Sequence, residues 1–195
     1  MTTDSALTPE QILSATEDVL RRFGPAKATV VDVARTLGVS HSSVYRFFPS
    51  KAALREAVTQ RWLDQAHSDL QFIATESGPA VERLHRWLET LFAAKRKKAL
   101  DDPQLFATYM TLVAETSRTV ETHLDTLVGQ IGRIIQDGVG TKEFRLAHIG
   151  STARAVFEAT AHFHDPAYAS EWADPHAQER FEALWELILG GLRTP

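Results

Sequence analysis

Apolar residues recur along this 195-residue chain every three or four positions, and no strand-length stretch alternates between apolar and polar. That period is the mark of helices with one buried stripe. Thr8, Pro9 and Gln11 form a capping-box start for a first helix whose inner face is Ile12, Ala15, Val19 and Phe23, stopped near Gly24-Pro25. Thr29 caps a second helix with Val30, Val33, Ala34 and Leu37 on its buried side. Gly38 permits a tight turn, Val39 supplies an apolar plug beneath it, and Ser40 caps a third helix running through Val44 toward Phe48, ended by Pro49. Ser50 caps a longer helix with Leu54, Val58 and Trp62 on one stripe, and Gly78-Pro79 marks the next break.

The same period continues to the end. Val81, Leu84, Leu88 and Leu91 form one stripe, and Leu105, Phe106, Tyr109, Met110 and Val113 form another after the helix start at Asp102-Pro103. Val120, Leu124, Leu127, Ile131 and Ile134 hold the pattern up to Gly138. Two further helices carry Ile149, Ala153, Val156 and Phe157, then, after Asp174-Pro175, Phe181, Leu184, Trp185, Ile188 and Leu192. There is no internal repeat and no low-complexity linker. The expected fold class is all-α.

The third helix carries the most telling chemistry. Its outer face presents Ser40, His41, Ser43, Tyr45 and Arg46: small hydrogen-bonding groups, an aromatic donor and a cation, all suited to a major groove. At these residues the chain resembles the TetR family of bacterial transcriptional regulators. That family's N-terminal pattern, Thr-(apolar)-x-x-(apolar)-Ala, then Gly-Val-Ser, Tyr and Phe-x-x-Lys, falls here on Thr29, Val30, Val33, Ala34, Gly38, Val39, Ser40, Tyr45, Phe48 and Lys51. The match covers about the first third of the chain. The resemblance implies an N-terminal three-helix helix-turn-helix head, residues 1–54, followed by a larger helical ligand-binding and dimerisation body, residues 55–195. It implies a repressor that binds a palindromic DNA operator as a homodimer and is released by a small-molecule effector. Dimerisation would use the last two long helices, from about Ala147 to His164 and from about Pro175 to Leu192, as a four-helix bundle.

Within the head, Thr29, Tyr45 and Lys51 look like phosphate contacts that set register, whereas Ser40, His41, Ser42, Ser43 and Arg46 are placed to meet base edges. One of Phe47 and Phe48 packs inside. Three positions depart from the family's habit, which has Lys or Arg at His41, Gly at Ser42 and His at Phe47. The recognition helix is therefore poorer in cations than in many relatives, and Ser42 offers a hydroxyl where glycine would let the backbone approach DNA.

Charge modifies this picture only when divided along the chain. The formal net charge is -4, yet residues 1–61 hold 8 Lys or Arg against 6 Asp or Glu, and the remainder 13 against 19. Only the head attracts phosphates, which helps orient the protein on DNA. Hydrophobic residues make up 44% of the chain, enough for a sizeable core, and cysteine is absent, which excludes disulfides, thiolate catalysis and cysteine-ligated metal. No apolar run approaches the ~18 residues that span a bilayer, and the start, MTTDSALTPEQ, lacks the features of a secretory signal. A cytoplasmic protein without membrane partner or cofactor is expected.

In the body, Trp87, Phe92, Phe106, Tyr109, Met110, Phe157 and Phe163 fit either plain core packing or a partly apolar effector pocket with Tyr109, Thr160 and His162 as polar tips. The candidate ligand-binding set is Trp87, Phe106, Tyr109, Met110, Phe157, Thr160 and His162. His162-x-His164-Asp165 suggests a metal cluster, but residues two apart on a helix share no face, and a site would need a helix end there plus His176 or another donor. No metal is expected. The run Lys95-Arg96-Lys97-Lys98 reads as a solvated helix end before Asp101-Asp102-Pro103. Two rivals stand beside the regulator: a DNA-binding protein with no effector, and a helical enzyme using His162, His164 and Asp165. The enzyme is disfavoured, because the sequence has no phosphate-cradling glycine loop, no His-Glu-x-x-His, no Gly-x-Ser-x-Gly and no cysteine nucleophile.

Overall fold

Hydroxyl caps start the early helices of the computed structural model, which describes residues 7–64, 67–145 and 148–193. Helix α1, Pro9–Lys27, opens on a reciprocal box: the Thr8 hydroxyl accepts the Gln11 N–H at 3.2 Å and the Gln11 carboxamide accepts the Thr8 N–H at 2.9 Å. Gly24, at φ 71°, breaks its path, so Pro25 begins a separate final turn. Ile12, Ala15, Val19 and Leu20 are buried. Phe23, expected on that inner face, is 41% exposed; it is the last residue before the break, and the Arg22 guanidinium lies 5.2 Å from its ring. Leu20 completes the stripe instead.

Helices α2 (Val30–Leu37), α3 (His41–Tyr45) and α4 (Lys51–Asp64) follow, then α5 (His67–Thr75), α6 (Ala80–Asp101), α7 (Pro103–Glu115) and α8 (Ser117–Gly140). The last three are α9 (Ile149–Ala159), α10 (Ala161–His164) and α11 (Ala177–Leu192), with a short 3-10 turn over Pro166–Glu171. No strand occurs among the described residues, and none of their helices is long and apolar enough to cross a membrane.

The chain forms two compact units. The first joins the residues up to Leu63 with Pro103–Val120, so that α7 completes the unit begun by α1 to α4. Its core includes Ile12, Val19, Val33, Val44, Val58 and Trp62, closed by Phe106, Tyr109 and Leu112 of α7. Trp62 stacks on Tyr109 with ring centroids 4.5 Å apart and planes 13° from parallel.

The second unit comprises Asp64–Asp102 and the chain from Glu121 on. Leu84, Trp87, Leu88 and Leu91 of α6 are buried there, as are Ile131 and Ile134 of α8 and Phe181 and Trp185 of α11. Pro79 leaves α6 without a side-chain cap of its own, and a remote carboxylate serves: Glu143 accepts the N–H groups of Ala80 at 3.0 Å and Val81 at 3.1 Å. Helix α8 runs past Gly138 to Gly140, and Gly138 is buried where a Cβ would stand 2.3 Å from the Phe144 ring and 2.8 Å from Ala80.

The expected dimerisation helices differ from expectation. Ala147 lies outside the described residues, and the helix is interrupted at Thr160, whose hydroxyl donates to the Val156 and Phe157 carbonyls, each at 3.0 Å. Pro166 then forces the chain into the 3-10 turn capped by Asp165. Helix α11 starts at Ala177 rather than Pro175, after Asp174 has accepted the His176 N–H at 2.8 Å. Ala153, Val156, Phe157, Phe181 and Trp185, read as dimer stripes, are buried within this single chain. What α11 leaves uncovered is Leu187, 75% exposed, flanked by half-buried Leu184 and Ile188.

Candidate nucleic-acid interface

Two capped helices and a left-handed glycine build the reading motif. The Thr29 hydroxyl donates to Asp32 Oδ2 at 2.6 Å and accepts the Asp32 N–H at 3.2 Å, so the capping box is closed by an aspartate. The Thr29 hydroxyl holds the Asp32 carboxyl below its usual range, with Arg35 at 2.9 Å adding to the effect. The Thr29 proton is thus already shared with a carboxylate before any phosphate arrives. Gly38 sits at φ 66° and ψ 27°, which lets the Val39 N–H turn back to the Ala34 carbonyl at 3.0 Å.

Helix α3 is shorter than expected. It covers His41–Tyr45, and Arg46, Phe47 and Phe48 continue only as tight turns, with the Phe47 and Phe48 amides both bonded to the Val44 carbonyl. Pro49 is the cause, since the residue before a proline is pushed out of the helical region. Val44 is fully buried and pins the helix, and of the two phenylalanines Phe48 is the more sheltered while Phe47 is exposed. The Ser40 hydroxyl accepts the Ser43 N–H at 3.2 Å and lies 2.9 Å from the Ser43 hydroxyl. Ser43 is half-buried by this pairing. His41, Ser42, Tyr45 and Arg46 are exposed, and the His41 and Tyr45 rings meet edge to face at 6.3 Å.

Lys51 is the exposed first residue of α4, whose start is capped by the Ser50 hydroxyl accepting the Ala53 N–H at 3.0 Å. Thr29 and Lys51 line one small depression over Leu20, Val30 and Leu54. Arg55 lines it too, and sequence reasoning passed it over. Its guanidinium donates to the Pro25 carbonyl and to Glu115 at 2.7 Å, fixing the segment that leads into Thr29. The signal available was its place one turn after Lys51 on the same face.

The candidate ligand-binding residues fall in both units. Phe106, Tyr109 and Met110 belong to the first; Trp87, Phe157, Thr160 and His162 belong to the second. Their polar tips are bonded internally. Tyr109 is fully buried and donates to Glu17 at 3.0 Å, and burial above all, with the Glu17 charge, pushes its phenol far above the ordinary range. Trp87 donates to Gln130 at 3.0 Å, and Gln130 in turn to Gln71 at 3.0 Å. His162 lies 3.3 Å from Glu171, with its ring beside Tyr168.

His164 turns away from His162. Its Nε2 is 2.9 Å from the Phe157 carbonyl, and burial pushes its pKa down to about 4. No group of three metal-ligating side chains converges among the described residues. Lys95 departs from the expected solvated helix end: burial lowers its pKa to about 8, opposed by the Asp165 charge. Lys97 follows the expectation, pairing with Asp101 at 2.5 Å on the outside of the helix.

A family profile described as bacterial regulatory proteins of the tetR family matches residues 12–58, and one described as the Tetracyclin repressor-like C-terminal domain matches residues 80–185, more than half of the chain. The nucleoid occlusion factor SlmA of Idiomarina loihiensis is 32% identical over 82 residues, 42% of each chain. The SlmA of Vibrio vulnificus is 32% identical over 93 residues, 47% of each chain. The chain thus spans less than half the length of these curated relatives. A TetR/AcrR family regulator from Thermobifida fusca has a similar fold, with a TM-score of 0.66 at 22% identity, covering 95% of this chain and 98% of that one. The regulator FadR from Bacillus subtilis, solved in complex with stearoyl-CoA, gives 0.65 at 14% identity, covering 95% of this chain and 100% of that one.

Proposed function

The chain belongs to the TetR family of bacterial regulatory proteins, and from that premise we propose that it is a repressor which grips a palindromic operator as a homodimer and releases it when a small molecule binds. The observation that carries this reading is the outer face of α3, where His41, Ser42, Tyr45 and Arg46 stand exposed on a helix pinned from behind by Val44. Residues 1–54 carry the reading helices, and the ligand-binding and dimerisation body lies within 55–195, although the rest of α4 as far as Leu63 and all of α7 fold with the first unit; the protein works in the cytoplasm where the operator is. Thr29, Tyr45 and Lys51 take phosphates; Lys51 does so beside the free amides of the α4 N-terminus, which favour an anion. Ser40, His41, Ser42, Ser43 and Arg46 read bases, Ser40 and Ser43 through hydroxyls that pair with each other until a base edge takes over.

Two copies associate through α11, where Leu184, Leu187 and Ile188 form the apolar stripe not used inside the chain. The effector is partly apolar. An acyl-CoA such as the stearoyl-CoA held by FadR is the first to try. A second reading, a DNA-binding protein with no effector, is favoured by the internal bonding of the Tyr109, Thr160 and His162 tips.

The test selects a duplex from a random pool with the wild-type protein, then titrates it at several salt concentrations. Lys51→Ala should weaken all duplexes about equally and lower the salt slope by about one phosphate contact. Arg46→Ala should instead change preference among variant duplexes by about 1–3 kcal/mol. Failure to enrich any duplex would sink the DNA-binding reading, and an affinity indifferent to acyl-CoA and to co-purified small molecules would favour the effector-free one.

A further inference from the structure

The start of α2 already holds an anion of its own. Thr29 has two donors, and both point at one oxygen: its hydroxyl donates to Asp32 Oδ2 at 2.6 Å and its N–H to the same atom at 3.3 Å. A threonine hydroxyl has a single proton, and here its oxygen also accepts the Asp32 N–H at 3.2 Å, so what it has left to offer is a lone pair. A phosphodiester at neutral pH has only acceptors. It can take this hydroxyl only if the proton leaves Asp32. The second carboxylate oxygen, Oδ1, accepts the Arg35 guanidinium at 2.9 Å. The Arg35 side chain is 73% exposed on the outside of α2, whereas that of Asp32 is 21% exposed, held against the helix it caps. Thr29 borders the depression that Lys51 and Arg55 also line, which sets its hydroxyl beside two cations suited to the same phosphate.

We propose that Asp32 is an internal rival of the DNA backbone: its carboxylate occupies the Thr29 hydroxyl, the Thr29 amide and the Arg35 guanidinium, donors that a phosphate would otherwise take, and so holds down affinity for every duplex alike. The inference rests on the DNA-binding reading above and names the residue that sets its strength. Asp32 acts through Thr29 and Arg35 and is a positioning residue. The rivalry concerns phosphates and not base edges, so its removal raises affinity without changing preference among sequences. It also frees one cation, whose contact with a phosphate adds counterion release. A carboxylate that served only as a helix cap would act with the opposite sign, because its loss would loosen α2 and weaken binding.

Titration of the full chain against the selected duplex and a scrambled one, at several salt concentrations, tests this. Asp32→Asn keeps a side-chain oxygen for the Thr29 N–H and removes the charge. It should bind both duplexes roughly threefold to tenfold more tightly, with a salt dependence steeper by about one phosphate contact per head. Asp32→Gln and Asp32→Glu form a second pair, since both residues close a capping box and they differ in charge alone. Asp32→Gln should show the same gain, and Asp32→Glu should stay near wild type, so the comparison survives a first variant that folds poorly. Neutral variants that bind no more tightly than the charged ones, a gain confined to the selected duplex, or a gain with an unchanged salt slope would overturn the rivalry. If neither wild type nor any variant binds a duplex, the DNA-binding reading fails and takes this inference with it; binding by wild type without a gain in the neutral variants overturns this inference alone.

Discussion

His164 is a histidine whose neutral form the fold requires. Its Nε2 faces the Phe157 carbonyl, its ring lies 4.2 Å from the Phe157 ring, and burial takes its pKa down to about 4. An unfolded histidine takes up its proton near pH 6.5, so between there and about 4 the unfolded chain binds a proton that the folded one refuses. Stability is therefore undiminished above that window and falls as pH drops through it, by about 3 kcal/mol in all. His164→Gln keeps a donor for the carbonyl and removes the titration, so its urea midpoint should decline less than that of wild type between pH 7 and 5. Parallel declines would reject the assignment. Lys95 works in the same direction in a higher window: its pKa is lowered to about 8, so stability rises as pH climbs from there toward the ordinary lysine range.

At the scale of elements, Gly138 and Glu143 decide how α8 meets α6. The Phe144 ring and Ala80 crowd the place where a Cβ would stand, at 2.3 and 2.8 Å, and both belong to packed segments with little room to give. Gly138→Ala should cost about 1–3 kcal/mol by overpacking, read as a lower thermal midpoint with helicity retained below it. An unchanged midpoint would mean that the close approach relaxes freely. The same scale shows what a sequence discloses. Thr8, Thr29, Ser40 and Ser50 were legible as caps because a cap bonds a backbone group only two or three residues ahead. The whole reading motif lies between Thr29 and Lys51 and was legible for the same reason. Periodicity reports that a face is buried but not against what, and so Phe106 and Tyr109 read as either core or effector-pocket residues, and only the structure supplies Trp62 as the neighbour of both rings. It also hid Lys95, whose basic neighbours make the run look wholly solvated.

For the whole molecule, the two faces of α11 bear on the proposed assembly. Phe181 and Trp185 face inward, leaving Leu187 as the uncovered apolar group of the proposed dimer surface. Leu187→Glu should yield a helical monomer that binds operator poorly, since each half-site loses its tethered partner. Phe157→Glu should unfold the chain instead, because its ring is already internal. Sedimentation of wild type as a monomer at micromolar concentration would contradict the dimer.

The division of the first unit into two chain segments also sets an order of events on the ribosome. Trp62 and Val58 emerge well before Phe106 and Tyr109, with all of residues 64–102 synthesised in between. At roughly 5–20 residues per second, Trp62 waits about 2 to 9 seconds for Tyr109 of α7 to cover it. A ribosome stalled near the end of α6 would hold out a tryptophan that the finished protein keeps from water, which makes this interval the one in which a chaperone matters most.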